Sequence, residues 1–302
     1  MIAETVGGCI LVFVSFVDVF QSLFHPAGRG TLSDWIARGT WRSVRPLARR
    51  RPGIITYAGP LAFVAVISTW AALIVVGCAL IFWPHMSTGF VAAPRLNPPN
   101  GFFDAFNTSL SSLTNFATDS FATQKWLRLV MGIEGVVGFG LLTASVSWLL
   151  SLYPVLELRR SLAQQTTLLH WAELENGIDV VQLPSGEALS ILDRLTSRLT
   201  TLRNQVAQFP ITYYFHVGEE ETALPGVLPY LAELGSRASQ PGRAASVRLA
   251  GTALGGAVDS YLELIAREFL RMPIDDKSAI LRRHAADQMR NMVRGSRGQR
   301  AA

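Results

Sequence analysis

Charged side chains are scarce in this chain of 302 residues, where Asp, Glu, Lys and Arg together make up only 16%. Soluble domains carry about 25% charged residues, so the composition argues against an ordinary soluble enzyme. Disordered chains are rich in charge and poor in apolar residues, and an apolar content of 49% excludes that class as well. Lysine occurs only at positions 125 and 277, so arginine supplies nearly all of the positive charge.

Cysteine and recognisable catalytic motifs are also scarce. Cys9 and Cys78 lie inside apolar runs without a C-x-x-C pair, and we interpret both as small apolar packing residues. No phosphate-binding loop motif occurs, and no dinucleotide-binding glycine motif follows a predicted strand. His216 beside Glu219–Glu221 lacks the spacing of a metal site. We therefore expect no enzymatic activity, no cofactor and no metal.

Long apolar runs are what the sequence has instead, and they are concentrated in its first half. Residues 1–155 contain 16 charged side chains, whereas residues 156–302 contain 33. Three runs are long enough to cross a bilayer core of about 30 Å as helices, namely Ala3–Phe24, Gly53–Trp83 and Leu129–Val155. The first run has no basic start and no small-residue cleavage site after it, so it is not predicted to be a signal peptide.

The segments between the spans differ in charge, and this difference predicts orientation. Residues 25–52 hold seven arginines and one acid, whereas residues 84–125 hold two basic and two acidic side chains. The positive-inside rule therefore places 25–52 in the cytoplasm and the N-terminus outside a plasma (inner) membrane. Arginines placed between two spans argue against nucleic acid as the partner.

The predicted fold class is an all-α integral membrane protein made of four segments. These are an N-terminal span (1–27), a basic cytoplasmic linker (28–52), a module of two spans (53–155) and a cytoplasmic helical domain (156–302). Apolar stripes at helical spacing predict five helices in the last segment. Their ranges are Leu156–Asn176, Ser185–Gln208, Leu228–Ser236, Ser246–Arg271 and Pro273–Arg294.

A short amphipathic segment lies between the second and third spans. Phe102–Leu113 places apolar residues at helical spacing, with Asn100 as the predicted N-cap and Asp104 in the first turn. About 12 residues extend only ~18 Å as a helix, which is too short to cross a bilayer. The pattern predicts a re-entrant helix, and the non-helical backbone after it must be surrounded by protein or by a water-filled cavity.

The order of span, Pro-rich turret, short helix, T-x-x-x-x-D segment and span resembles the pore module of two-helix potassium-channel-like proteins. The resemblance covers about residues 55–153, and the flanking segments 18–42 and 209–225 are also similar to bacterial channel-like proteins. It implies a homotetramer in the lipid bilayer that passes an inorganic ion, because one module alone cannot enclose an axis. The implied selectivity filter consists of Thr114, Asn115, Phe116, Ala117, Thr118 and Asp119.

The filter departs from the family pattern at two positions. Phe116 and Thr118 stand where the family has glycines, and only Thr114 and Asp119 match its motif. In the family's filter, backbone carbonyls replace the hydration shell of the ion. A residue with a Cβ atom at positive φ costs on the order of 1 kcal/mol. We therefore expect cation passage with non-standard selectivity, and a non-conducting sensor or scaffold is the alternative.

Small polar residues form a stripe on the third span. Thr143, Ser147 and Ser151 are spaced by four and therefore share one helix face. Within the resemblance, this face lines the inner cavity. Hydrogen bonding between helices is the alternative interpretation, because small polar residues are common at helix contacts in membranes.

Charged and glycine residues within the spans define the remaining candidates. Glu134 is the only charge within the third span, and we expect it to support the filter by accepting hydrogen bonds from the back of the filter or from the short helix, with ion binding as the alternative. Gly138 and Gly140 lie where the family often has its gating hinge, with close helix packing as the alternative. Asp18, near the end of the first span, is expected to pair with an arginine of residues 38–51.

Overall fold

The computed structural model describes residues 2–23, 30–92, 98–215 and 223–288. They divide into two compact units, one within residues 1–54 and 58–151 and the other within residues 55–57 and 152–302. Three of the described helical stretches are long and apolar enough to cross a membrane, and they contain the second and third predicted spans and the first up to Leu23, since Phe24 lies outside the described residues. These stretches are Ile2–Leu23, Gly53–Gly89 and Lys125–Asn176.

The first unit is built from helices and one small sheet. Helix α1 is Ile2–Leu23, α2 is Thr31–Arg50, α3 is Ala58–Phe82, α4 is Met86–Gly89 and α5 is Phe102–Thr114. The 3-10 turns Pro52–Tyr57 and Trp83–His85 extend α3 at its two ends. Helix α6, Lys125–Asn176, runs without a break through both the third predicted span and the first predicted helix of the following domain.

Helices α1 and α3 cross where each carries a glycine. A Cβ atom on Gly77 would lie 2.8 Å from the carbonyl oxygen of Gly8 and 2.7 Å from the Val12 side chain. Side chains larger than hydrogen would therefore push the two helices apart at this point. Close backbone approach through small residues is the usual way in which helices associate inside a membrane. The first span thus packs directly on the second.

Asp18 joins three helices through N–H groups. Its carboxylate accepts hydrogen bonds from the backbone N–H groups of Leu32 (2.8 Å) and Ser33 (3.1 Å) and from the indole N–H of Trp70 (2.8 Å). The prediction that it pairs with an arginine of residues 38–51 was wrong for the side chains that the structure describes. The first turn of a helix offers unpaired N–H groups and a positive partial charge, and both satisfy a buried carboxylate.

Helix α3 also packs against α5 and α6. The ring of Trp148 lies 5.1 Å from that of Phe63 and 5.6 Å from that of Trp70, measured between centroids. Farther along α3, Phe82 belongs to an apolar core that also includes Leu127 of α6 and residues of α5. This core holds α5 between the two long helices.

Two three-residue strands pair in the first unit. Strand β1 (Phe90–Ala92) runs antiparallel to β2 (Ser120–Ala122), with Val91 opposite Phe121. The backbone N–H of Thr123 extends the pairing by donating to the carbonyl of Gly89 at 2.8 Å. The sheet was not predicted, because three residues are too few to show a period of two.

The second unit is helical in the residues described. It contains the C-terminal part of α6, α7 (Ser185–Gln208), α8 (Leu224–Ala238), α9 (Ala245–Ile265) and α10 (Lys277–Asp287). Short turns at Val180–Gln182 and Pro210–Tyr214 and a π-helical turn at Ala266–Leu270 connect them. Helix α9 packs against α7 and α8. The leucines that α7 buries share one face, and they are Leu192, Leu195, Leu199 and Leu202.

Predicted and observed helix ends differ by four or more residues in three places in this unit. Helix α8 begins at Leu224, before the predicted Leu228, because Pro225 fits the first helical turn, where no N–H is needed. The predicted helix Ser246–Arg271 is α-helical only to Ile265, and Arg271 adopts a left-handed conformation at φ 51°. The last helix begins at Lys277, because Asp276 caps it. Its predicted end at Arg294 lies outside the described residues.

Candidate functional site

The short helix α5 begins at Phe102, as the spacing predicted, but its N-cap is one residue later than the predicted one. Gly101 is its N-cap, and the predicted cap, Asn100, lies one position earlier. The Asp104 carboxylate accepts hydrogen bonds from the backbone N–H groups of Asn100 (2.9 Å) and Gly101 (3.2 Å). Asp104 therefore fixes the entry of the chain into α5, and its negative charge suits the first turn of a helix.

A buried carboxylate joins the middle of α5 to α6. Ser109 on α5 donates a hydrogen bond to Glu134 on α6, and its hydroxyl lies 2.9 Å from the backbone carbonyl oxygen of Val75 on α3. The Glu134 side chain is 2% exposed, and the thiol of Cys78 is its other polar neighbour. This is the contact with the short helix that was expected of Glu134, while its role as a support of the filter stays a prediction. Ser109 and Cys78 were missed, because a lone serine or cysteine carries no spacing signal.

The C-terminal end of α5 fits against two glycines of α6. A Cβ atom on Gly138 would overlap the backbone carbonyl of Leu113, with only 2.7 Å to its carbon. The side-chain amide of Asn115 donates to the carbonyl of Gly135 at 3.1 Å. Gly140, by contrast, has nothing within 4 Å of its would-be Cβ atom. Gly138 therefore serves close packing, which was the alternative to a hinge. Because α6 is continuous through both Gly138 and Gly140, their role as a hinge remains a prediction.

The backbone of the predicted filter differs from the conformation that the family resemblance implies. Asn115 adopts the left-handed region at φ 56°, which asparagine tolerates better than most residues. Within the described residues of this tract it is the only residue at positive φ, so neither Phe116 nor Thr118 carries the strain expected there. Asn115 thereby ends α5, and its backbone N–H contacts the last carbonyls of the helix.

Most of the six predicted filter residues are exposed on the single chain. Phe116 has 78% of its surface exposed, and Thr114, Asn115, Ala117 and Asp119 are exposed as well. The tract is held at both ends, by the docked end of α5 and by strand β2, where the Thr118 hydroxyl bonds to the backbone of Ser120. Its side chains are therefore fixed in place without being covered by their own chain.

The polar stripe of α6 also faces outward. Thr143, Ser147 and Ser151 are all exposed, and the hydroxyls of Thr143 and Ser151 bond to carbonyls four residues earlier in α6, each at 2.9 Å. No described residue of another helix binds these two hydroxyls. The three side chains therefore lie on an exposed face of α6, as the cavity interpretation requires. That this face lines a cavity stays a prediction.

A cavity of about 700 Å³ lies at the C-terminal end of α5. Its walls include Leu113 and Asn115 from α5, Ile67 from α3, and Phe139 and Ser145 from α6. The lining is mostly apolar, as expected for a space between helices at membrane depth. The C-terminal end of α5 therefore borders this cavity and is not enclosed in a packed core.

The second unit contains two polar clusters that the sequence did not reveal, one half-buried and one buried. Glu173 on α6 accepts hydrogen bonds from Tyr230 (2.9 Å) and Arg237 (3.3 Å), and Arg237 also pairs with Asp179 at 2.7 Å. The neighbouring carboxylates raise the pKa of Arg237 against the opposing effect of burial. These contacts tie α6 to α8, so the cluster is structural.

The other cluster surrounds His284 on α10. Its imidazole is 3% exposed, stacks with Tyr213 at 5.8 Å between centroids, and has no hydrogen-bond partner among the described residues. Burial, and then the charge of Arg159, lowers the pKa of His284 to about 3. Burial also raises the pKa of Tyr213, whose hydroxyl donates to Asp287 at 2.6 Å. The imidazole is therefore neutral in the folded protein.

No metal or catalytic centre is found in the part of the chain that the structure describes. In that part, no group of three His, Cys, Asp or Glu side chains is arranged to hold a metal ion. The segment with His216 and Glu219–Glu221 lies outside the described residues. The candidate site is therefore the one in the first unit, formed by α5, the tract after it and the glycine face of α6.

Comparison with known proteins supports a membrane protein and gives no narrower class. The chain is 24% identical over 220 residues to the uncharacterized membrane protein YdjJ of Bacillus subtilis (strain 168). The match includes 70% of this chain, and this chain spans 62% of the length of that relative. No family model matches the chain. No solved structure matches it either. The fold and this similarity together define an all-α membrane protein.

Proposed function

We propose that the protein is a tetrameric, channel-like membrane protein that passes small inorganic cations with non-standard selectivity. The observation that carries the proposal is the docking of α5 between two membrane helices, with its C-terminal end leading into the exposed tract Thr114–Asp119. A helix too short to span a bilayer leaves the backbone after it at membrane depth. That backbone is satisfied only where protein surrounds it or where it lines a water-filled path, and the exposure of the tract on the single chain favours the path.

The charge around this tract favours cations. The last carbonyls of α5 give its C-terminal end a partial negative charge, and Asp119 adds a full one. Four chains arranged about an axis would bring four such ends together. The exposed stripe of Thr143, Ser147 and Ser151 would then line the path on the side that we propose is cytoplasmic.

The selectivity of the pore would differ from that of a potassium channel. Phe116 and Thr118 have side chains at the two glycine positions, and neither adopts the left-handed backbone. The carbonyls of the tract therefore cannot form the ring of ligands that glycines allow. We expect weak discrimination among monovalent cations, because such a path would select by charge and diameter.

Ion flux through the full-length protein in liposomes tests the proposal. We expect potassium and sodium flux of similar size and much smaller chloride flux. Asp119→Asn should reduce cation flux several-fold, because it removes a negative charge beside the path. Asp275→Asn is the matched control, since Asp275 is an exposed acid in the second unit. Intact tetramers that pass no small ion would contradict the proposal.

A non-conducting sensor or scaffold is the second candidate. The substitution of both filter glycines favours it, because a filter without them has lost the backbone freedom that ion coordination needs. The double substitution Phe116→Gly and Thr118→Gly separates the two candidates. Potassium flux that arises in the double variant from a silent parent would support the scaffold, whereas altered selectivity in an active parent would support the channel.

A further inference from the structure

Helix α2 is tied to the membrane helices at both of its ends. Its first turn donates two backbone hydrogen bonds to Asp18, which lies within α1. Its last residue, Arg50, precedes the Pro52–Tyr57 turn that leads directly into α3. A helix held in this way begins at the depth where α1 leaves the bilayer, so it lies in or beside the layer of lipid headgroups.

The two faces of α2 differ in what covers them. Ala37, Trp41 and Ala48 are buried, and α2 packs against α3. On the opposite face, Trp35 is 70% exposed and Leu47 is 55% exposed. Arg42 and Arg50 are exposed on the same face. The uncovered face therefore combines apolar side chains with arginines along the whole length of the helix.

The charges on this face are not neutralised by acidic side chains of the described chain. Arg38, at its border, pairs with Asp34 at 2.9 Å. Across residues 2–23, 30–92, 98–215 and 223–288, no acidic partner is found for Arg42 or Arg50. The two arginines, which have no acidic partner among the described residues, share this side of α2 with the exposed Trp35 and Leu47, and together they form a surface that is complementary to an anion at an apolar boundary.

We infer that the outer face of α2 binds anionic phospholipid headgroups of the adjacent leaflet. Arginine forms paired hydrogen bonds to phosphate oxygens, and its weak hydration lowers the cost of leaving water. Tryptophan prefers the headgroup level, and Leu47 can enter the acyl boundary beside it. The inference does not depend on conduction, because it concerns only the helix between the first two spans.

A soluble anionic partner fits this face less well. Nucleic acid or an acidic protein would leave Trp35 and Leu47 in water or would need an apolar surface of its own. The tether to Asp18 also holds the helix at the bilayer, where anionic headgroups are present at high local concentration. A phospholipid supplies both the phosphate and the hydrocarbon that this face requires.

Lipid-dependent stability of the full-length protein in detergent tests the inference. We expect phosphatidylglycerol to raise the melting temperature more than phosphatidylcholine does. Arg42→Gln with Arg50→Gln should remove at least half of that difference, and Arg42→Lys with Arg50→Lys should restore part of it. Arg194→Gln with Arg248→Gln is the matched control, because these two arginines are exposed on α7 and α9. The melting temperature in phosphatidylcholine shows whether each variant is folded.

Fluorescence provides an independent readout at Trp35. Brominated phosphatidylglycerol should quench the wild-type protein more than Trp35→Phe, whereas Trp171→Phe, which removes an exposed tryptophan of α6, should leave the quenching of the remaining residues unchanged. Equal stabilisation of the glutamine variant and the wild type would overturn the inference. Stabilisation by inorganic phosphate alone, or by phosphatidylcholine to the same degree, would overturn it as well.

Discussion

The two units of this protein bury different kinds of groups. In the first unit the helices meet at glycines and at buried polar side chains, such as Gly77, Gly138, Asp18 and Glu134. In the second unit α7 and α9 meet through a row of leucines and other apolar residues, although α8 and α9 also approach each other closely at Gly235 and Gly251. The first unit also exposes many large apolar side chains on α1 and α6, as a surface in contact with lipid must.

This difference is the one that lipid around the first unit and water around the second would produce. Water drives leucines together, and burying one contributes about 1.5–3 kcal/mol. Lipid does not, so helices inside a membrane associate through close backbone approach and hydrogen bonds. At the contacts named here, an added side chain should therefore harm the first unit most, whereas a removed side chain should harm the second. Changes at Gly138, Leu199, His284 and Asp18 test this contrast, and their expected effects decrease in that order.

Gly138→Val should have the largest effect. The new side chain would overlap the carbonyl of Leu113 and push α5 away from α6, at an expected cost of about 4 kcal/mol or more. The amount of monodisperse protein after detergent extraction, together with its melting temperature, measures the loss. Gly140→Val is the control, because no atom lies within 4 Å of a Cβ atom placed on Gly140. Equal yields of the two variants would contradict the packing described for α5.

Leu199→Ala should destabilise the second unit by about 2–5 kcal/mol, because it leaves a cavity at a fully buried position of α7. Hydrogen exchange of peptides covering 185–208 in the full-length protein measures the local effect. Leu249→Ala on α9 removes the same atoms from a side chain that is 75% exposed, and it should change stability by less than about 0.5 kcal/mol. A large effect at Leu249 would show that other groups cover this face of α9 in solution.

Acid should weaken the second unit through His284. The pKa of His284 is lowered from 6.5 to about 3, so between these values the unfolded chain binds a proton that the folded chain does not. Stability is therefore full above pH 6.5 and falls as the pH decreases, by about 2 kcal/mol from pH 7 to pH 5. Hydrogen exchange of residues 277–288 at the two pH values measures this loss.

The substitution His284→Phe should flatten this pH dependence, since it keeps an aromatic ring between Tyr213 and Tyr261 but cannot take up a proton. His170→Phe is the control, because His170 packs against Tyr230 in the other polar cluster. An unchanged pH profile in His284→Phe would assign the acid sensitivity to a different group.

Asp18→Ala should have the smallest effect, about 1–2 kcal/mol, because a helix cap and one indole partner are lost while the packing of α1 on α3 remains. Faster hydrogen exchange in a peptide that contains Leu32 and Ser33 would measure it. Asp34→Ala removes an acid of the same helix that pairs with Arg38 near the surface, and it should leave these amides protected. Identical exchange in both variants would mean that Asp18 does not hold α2.

The sequence predicted the helices far better than the contacts between them. Apolar runs and helical spacing located the spans and the short helix Phe102–Thr114, because each is a local pattern. Asp18 could not be assigned its partners in this way, since Leu32 and Trp70 are distant in sequence and carry no motif. The fit of Gly138 against Leu113 also depends on how two helices cross, and spacing within one helix does not encode that.

The predicted filter shows the same limit. The position of residues 114–119 after a short helix could be read from the order of elements, and the structure places them there. The left-handed conformation that the family's glycines allow is found at neither Phe116 nor Thr118. It is adopted by Asn115, which both ends α5 and bonds to Gly135, and residue types alone do not reveal which position takes it.

The segment between the two long helices α3 and α6 is closed into a loop by the pairing of β1, near its start, with β2, near its end. Residues inserted between β1 and α5 would lie within this closed segment, so they need not disturb the pairing of β1 with β2 or the contacts of α5 with α6. Residues 115–119, clasped between α5 and β2, have no such freedom.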